Sequence, residues 1–444
     1  MKKVLFISAI ISLVIFQFSC KTKNLEYQKE AANPDLYRSG MVKIVDIITH
    51  DIFAPPVASR IFTYASIAGY EAMIPWNPKY KSFANQLKDL KAAPQPESGA
   101  EYCFPVCGNI AMMQVGKALT FSGDSIEVFR KNIISKFEKM GVPNDVMTRS
   151  IAYGEAVGNH ILAWAAKDNY KELRTASKYT IDFKKLDTWK PTPPMYSDAL
   201  EPHWGEMRTL VLDSASQFRP ERPAPFSIEK GSLLYKQAME VYDSVANNND
   251  FTRETAKYWD DNAMATEVTG HVMMTKKKIS PGGHWIMITD NVTRQKGYDI
   301  MQTAETFAMV SISLYEAFIS CWKEKYESVY IRPETYITQF INKEWTPFLQ
   351  TPPFPEYTSG HSVITGSAAT ILTKYIGENY TFSDSTEMYL NFKPRTYPSF
   401  MAASNEAALS RMYGGIHFRP AIENGQTQGK AVGNFILSKI KTKN

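Results

Sequence analysis

The most constraining feature of the sequence is "IMQTAETFAMVSISLYEAFISCWKEK", residues 300–325, where apolar side chains return every three or four positions without an interrupting proline or glycine. That spacing has the period of an α-helix and not the two-residue period of a strand. The same period recurs in "DLYRSGMVKIVDIITHDIFA" (35–54) and, after a Pro-Pro start suited to a first helical turn, in "PPVASRIFTYASIAGYEAMI" (55–74). It recurs again in residues 154–170, 226–245, 253–268 and 283–296. Further helices are expected from His361 to about Ile376, from about Met401 to Tyr413, and from Ile422 to Ile440. Convincing alternating strands, internal repeats and low-complexity tracts are missing. The expected fold is all-α, two stacked helical bundles. A proline-rich, aromatic stretch over 187–225 has no period and reads as an extended connection, dividing an N-terminal bundle (20–190) from a C-terminal one (226–444).

A hydrophobic share of 44% over 444 residues is ample for a large core. The net charge of +5 is mild and its lysines and arginines are scattered, which argues against a nucleic-acid partner or a polybasic membrane patch. No internal helix is apolar for the roughly 20 residues of a membrane span. The beginning of the chain differs. "MKKVLFISAIISLVIFQFSC" joins two lysines to an apolar run too short to span, then places Cys20 after a small residue. It reads as an export signal over 1–19, and the cysteine makes it resemble a bacterial lipoprotein signal. Cys20 would then be the lipidated first residue, and membrane contact would be through that anchor alone. Residues 21–29 carry no acidic cluster beside Cys20, which leans the expected location towards a periplasm-facing anchor or the outer membrane. Cys103 and Cys107 could bridge a tight loop, with Cys321 left free.

Three segments between Lys325 and His417 share one chemical character. "CWKEKYESVYIRPE" places Lys325 six residues before Arg332-Pro333, "FPEYTSGHSVITG" holds Ser359-Gly360-His361, and "LSRMYGGIHFRPA" places Ser410-Arg411 five residues before His417. They supply three cations, a hydroxyl, two imidazoles and a helix N-terminus whose first N–H groups have no intrahelical partner. A tetrahedral oxyanion is met by such a set: Arg offers planar forks, Lys a point charge, and the N–H groups fixed dipoles. Gly414-Gly415 would bend the helix end and let Arg411 and His417 both turn inward.

In this order the motifs resemble those of the superfamily of type 2 phosphatidic acid phosphatases and vanadium-dependent haloperoxidases, and most closely the exported flavobacterial iodoperoxidases. The resemblance implies a pocket that holds phosphate transiently or vanadate as a prosthetic group. Carried over by position, His417 would ligate vanadium, and Lys325, Arg332, Ser359, Gly360 and Arg411 would hold the vanadate oxygens. His361 would be the acid–base, and hydrogen peroxide the co-substrate that oxidises halide, iodide by default, to hypohalous acid. In the phosphatase alternative His417 is the nucleophile that forms a phospho-histidine and His361 protonates the leaving group. Trp322 and Phe354 stand where chloroperoxidases and bacterial iodoperoxidases carry the same residues, and they would give the halide an apolar wall. Two positions depart from the pattern. Thr358 replaces a proline, and Ala421 replaces the aspartate that normally orients the last histidine, so Glu423 or a backbone carbonyl would have to substitute. Asp260 or Asp261 could orient Arg411, Tyr258 could border the pocket, and His284 with Trp285 could line its entrance. His50 and His160 read as structural.

Overall fold

The computed structural model describes residues 25–263 and 265–443. Its helices in chain order are α1 (Leu25–Ala31), α2 (Asp35–His50), α3 (Pro55–Met73), α4 (Phe104–Leu119), α5 (Gly123–Lys139), α6 (Asn144–Ala165) and α7 (Tyr170–Leu173). After a long irregular connection come α8 (Leu233–Ala246), α9 (Asp250–Tyr258), α10 (Pro281–Gln295), α11 (Ile300–Ser328), α12 (Pro333–Phe340), α13 (Gly360–Ile376), α14 (Phe400–Tyr413) and α15 (Arg419–Lys439). The fold is all-α, as the periodicity requires. Helices α2 to α6 form one bundle and α10, α11, α13, α14 and α15 the other. The expected signal segment and Cys20 lie outside the described residues.

α11 joins the bundles, packing on α3 from one and on α13 from the other. It is buried from Ile300 to Lys325 except at Gln302 and Lys323, and α3 is buried on every face from Pro56 to Met73. A helix with no solvent face belongs at the centre of a large core. One apolar core accordingly runs from Tyr37 on α2 to Ile440 just past α15. α11 starts at a capping box, Asp299 with Gln302, which satisfies two orphan N–H groups. α13 and α15 approach so closely that a Cβ on Gly429 would lie 2.1 Å from the Val363 carbonyl oxygen, so no larger residue fits there.

The two pieces of irregular sequence behave differently. Between α7 and α8 there is one short 3₁₀ turn and no α-helix, in accord with the missing period. This connection is pinned to the bundles: the Leu200 N–H donates to the Pro353 carbonyl (2.9 Å), and the Leu210 and Val211 N–H groups donate to buried Glu316. The helix expected over 253–268 is corrected. α9 stops at Tyr258, and Thr266–Thr269 (β1) pairs with Val272–Thr275 (β2) as an antiparallel ribbon. Phe382–Asp384 (β3) and Arg395–Tyr397 (β4) form a second one. Strands this short carry too few residues for an alternation to show in sequence. The helix expected over 226–245 begins at Leu233, capped by the Ser232 side chain.

Candidate active site

The three motifs converge from four elements. Trp322 and Lys325 sit in the last turns of α11, Arg332 caps α12, Ser359 caps α13 with His361 in its first turn, and Arg411 lies near the end of α14. Gly415, at φ +75°, ends the turn after α14 in a conformation that favours glycine, and Ile416-His417 then doubles back towards Arg332. Trp322, Phe354, Gly360, His361, Arg411 and His417 line one cavity, together with Asp261 and a rim of prolines. Lys325, Arg332 and Ser359 are fully buried around it.

His417 is held at both ring nitrogens. Its Nδ1 lies 2.9 Å from Glu356 Oε1, and the Arg332 Nη1 donates towards its Nε2 at 3.1 Å. An arginine is always a donor, so Nε2 carries the lone pair and Nδ1 the proton. Burial first, then the nearby Arg332, Lys325 and Arg411, push the His417 pKa well below the ordinary imidazole value. The ring is therefore neutral, with the Nε2 lone pair turned to Arg332. Glu356 also accepts the Phe418 N–H at 2.9 Å, and burial raises its own pKa to about 7. The expectation that Glu423 or a carbonyl would orient His417 is corrected: Glu423 is exposed beside Arg419, whereas Glu356 reaches the ring from the preceding loop. Ala421 is fully buried, and its carbonyl accepts the Ser359 N–H at 3.0 Å. A loop carboxylate thus takes the place of the missing aspartate.

Lys325 has a specific task. Its ammonium donates to the carbonyls of Pro355 (2.9 Å), Glu356 (3.1 Å) and Thr358 (2.5 Å), so its three protons all hold the loop that carries Glu356 and Ser359. Burial pulls its pKa down to about 7. Arg332 binds the Phe354 carbonyl through Nε (2.9 Å) and the Ile416 carbonyl through Nη1 (2.8 Å), leaving the buried Nη2 without a partner. Arg411 donates from Nη1 to the Trp259 carbonyl at 2.9 Å and leaves Nε unpartnered. Asp260 approaches Arg411 at 4.0 Å, a loose pair, while its other oxygen takes Lys278 at 2.6 Å. Trp322 and Phe354 pack against each other at a 50° tilt with centroids 5.0 Å apart, and the indole N–H is committed to the Leu200 carbonyl at 3.2 Å. They present ring surface to the cavity and no polar atom.

His361 stands with Nε2 buried and unpartnered, 3.8 Å from Asp261 Oδ2. Burial, then Arg411, depress its pKa well below the ordinary value. The secondary candidates are placed differently from expectation. Tyr258 is buried with its hydroxyl on Asp384, and His284 and Trp285 are fully buried behind the cavity instead of lining an entrance. His50 and His160 are on the surface, His160 bonding the Lys91 carbonyl. Cys103, Cys107 and Cys321 are all free buried thiols; Cys103 caps α4 and its carbonyl accepts from the Cys107 thiol one turn on. No bridge closes that loop.

Vanadate fits this donor set. Arg332 Nη2 and Arg411 Nε are buried, permanently cationic and unsatisfied, which is costly without an acceptor. A methyl group built on Gly360 would meet nothing nearer than 3.7 Å, so packing against the protein does not demand glycine there; the absent side chain leaves room in the cavity.

The fold and site together define a helical-bundle protein built around a buried oxyanion pocket. Its backbone superposes on the crystal structure of a bacterial vanadium-dependent iodoperoxidase with a TM-score of 0.88 and 42% identity, over 93% of this chain and 98% of that one. The chain belongs to the vanadium-dependent haloperoxidase family. The profile of the VCPO second helical-bundle domain matches residues 305–443, which include every motif residue. The holo and apo structures of a bacterial vanadium-dependent chloroperoxidase share the fold at 14% identity, with TM-scores of 0.65 and 0.63. They cover 88% and 87% of this chain, and 93% and 95% of their own. No curated protein sequence matches the chain.

Proposed function

We propose that the protein is a vanadate-dependent haloperoxidase that oxidises halide, iodide by preference, with hydrogen peroxide to hypohalous acid. The observation that carries the reading is a cavity lined by His361, Arg411 and His417, at which Arg411 Nε has no acceptor, with the equally unsatisfied Nη2 of Arg332 buried beside His417. When bound there, vanadate supplies a Lewis-acid centre for activating peroxide towards halide. His417 would hold the group through Nε2, and Glu356 keeps that nitrogen aimed by fixing the Nδ1 proton. Arg332, Arg411 and the Gly360 N–H would face its oxygens, while Lys325 and Ser359 hold the loop and the cap that present them. His361, neutral at rest and with Nε2 free, would take and return the peroxide proton. The tilted Trp322 and Phe354 rings would give a weakly hydrated halide an apolar surface. The preference for iodide is supported by the 42% identical iodoperoxidase.

The Glu356–His417 pair would also serve a phospho-histidine, so phosphate-ester hydrolysis is the second reading. One experiment separates them. Protein purified without phosphate is loaded with orthovanadate, desalted and assayed for triiodide formation from iodide and peroxide, with an ester assay on the apo sample in parallel. Vanadate-dependent oxidation that phosphate suppresses is the expected result; ester hydrolysis without oxidation would replace the haloperoxidase reading.

The N-terminal sequence supports export and attachment through a lipid on Cys20, on the periplasmic side or at the outer membrane. Incorporation of labelled fatty acid that disappears in Cys20→Ala tests the attachment.

A further inference from the structure

Reactive sulfur is sparse on the surface formed by the described residues. Cys103, Cys107 and Cys321 are buried. Three described methionines are exposed, Met273 at 60%, Met274 at 54% and Met388 at 55%, and the others are buried or half-buried. All three belong to segments that meet the cavity wall. Asn262 lines the cavity and is half-buried, so it stands at the mouth. The chain leaves the cavity there, makes the β1–β2 ribbon over Thr266–Thr275 and returns to it at Pro281. The base of the ribbon is fastened: the Thr266 N–H donates to Gln350 (2.9 Å) and the Lys276 N–H to the Ala265 carbonyl (3.1 Å). Met388 lies in the 3₁₀ turn Thr386–Leu390 beside Glu387, whose carboxylate is within 4.8 Å of that of Asp261 in the cavity wall.

We propose that Met273, Met274 and Met388 form a sulfoxidation site at the cavity mouth, where their thioethers capture hypohalous acid as it leaves. The proposal rests on the haloperoxidase reading, which supplies the oxidant. The sulfur lone pair attacks the halogen, and the halogen–oxygen bond breaks with release of hydroxide. Water then displaces halide from the halosulfonium ion, and loss of two protons leaves the sulfoxide. In sum, thioether and hypohalous acid give sulfoxide, halide and one proton; sulfur loses two electrons and the halogen gains two.

The fold tolerates this change where it occurs. Consecutive strand residues point to opposite faces, and all four residues of β2 are exposed, so both faces of the strand are open to water. A polar oxygen on Met273 or Met274 therefore disturbs no core contact, whereas the same oxygen on buried Met309 would. Tyr389, exposed beside Met388, competes less well: burial of its hydroxyl pushes the phenol pKa up, and phenolate is the form that takes electrophilic halogen. Three thioethers consume three equivalents, few beside the roughly 1–1,000 turnovers per second of an ordinary enzyme, so the site is no sink for product. What it alters is the protein, since an apolar ribbon tip becomes polar after few turnovers and a sulfoxide reductase can return it.

Vanadate-loaded protein is mixed with an equal amount of ¹⁵N-labelled His417→Ala protein and given iodide and peroxide. Peptide mass mapping follows both copies, and triiodide is read in the same sample. In the active copy the three methionines should each gain about 16 Da before any other described residue is oxidised, and sulfoxide reductase should remove the gain. They should be oxidised roughly two-fold or more beyond the labelled copy, because capture near the point of release raises the effective concentration. Equal oxidation of the two copies, or earlier oxidation of Trp322 or a buried methionine, overturns the proposal. So does equal oxidation by peroxide without iodide. A further arm needs no variant: apo protein is treated with iodine in neutral buffer, which hydrolyses to hypoiodous acid, and other residues reacting first there also overturns it. If the loaded protein makes no triiodide, the haloperoxidase reading fails and capture of its product falls with it; triiodide with the three methionines intact overturns this site alone.

Discussion

Glu356 is the residue whose removal tests the site most directly. Its Oε1 accepts two buried protons, from His417 Nδ1 and the Phe418 N–H, both at 2.9 Å. Glu356→Ala strands both donors. At about 1–3 kcal/mol for each unsatisfied buried group, the apo protein should lose roughly 2–6 kcal/mol in a urea titration. Glu356→Gln keeps an acceptor at the same place and loses only the charge, so it should cost well under half of that. Vanadate affinity follows the orientation of His417. The loss in Glu356→Ala should be on the order of 10–100-fold, or about 1.4–2.8 kcal/mol, as expected when an outer partner of a ligating histidine is removed. Equilibrium dialysis of vanadate against the folded variants, with metal analysis of the retained fraction, measures it. An Ala variant that folds and binds vanadate like the parent would refute the assignment of Glu356 as the orienting group. A Gln variant as weak as the Ala variant would show that the charge matters, not the acceptor.

His417→Ala should abolish vanadate retention on a desalting column, whereas His361→Ala should retain vanadate and lose most of its turnover. Lys325, with a folded pKa of about 7 against about 10.5 unfolded, binds fewer protons folded than unfolded between those values, so its contribution to apo stability rises with pH across that window. A bound oxyanion restores the Lys325 proton, so vanadate affinity should fall over the same window, and Lys325→Met should flatten both trends in chemical melts and dialysis. His361 and His417, whose folded pKa values are depressed, should make the apo protein less stable as the pH falls below about 6.5. Reductant should leave the melting temperature unchanged, and thiol titration of the unfolded chain should find Cys103, Cys107 and Cys321 without prior reduction.

Much of the fold was legible because its signals are local. The helices expected to start near His361 and Met401 begin at Gly360 and Phe400, each capped by a serine that accepts from the N–H three residues on. The motif residues were legible for the same reason, since their spacings are set within one helix end or one turn. Partnerships across the chain were not. Glu356 stands 61 residues from His417, and nothing in "FPEYTSGH" separates it from a solvated loop acid. Asp261, His284 and Asp384 come from three segments joined by a fold that α10 and the short β3–β4 ribbon create. The role of Lys325 was legible as a charge, but its commitment to three carbonyls depends on how the loop folds over it.

The placement of α11 bears on how the chain can be divided. Residues 305–443 match a recognised domain, yet a fragment cut at Glu305 would begin inside this helix. It would lack the capping box at Asp299 and Gln302, leaving the first N–H groups of the remaining helix bare. It would also uncover the face of α11 that α3 shields, including the Ser311 carbonyl that accepts the Thr63 hydroxyl at 2.7 Å. The far end of the same rod carries Trp322 and Lys325, so fraying at the cut would be felt at the pocket some fifteen to twenty residues away, about 25 Å at the helical rise per residue. The excised bundle should therefore aggregate or bind anions poorly, and the catalytic half of the protein is best regarded as an organ of the whole chain.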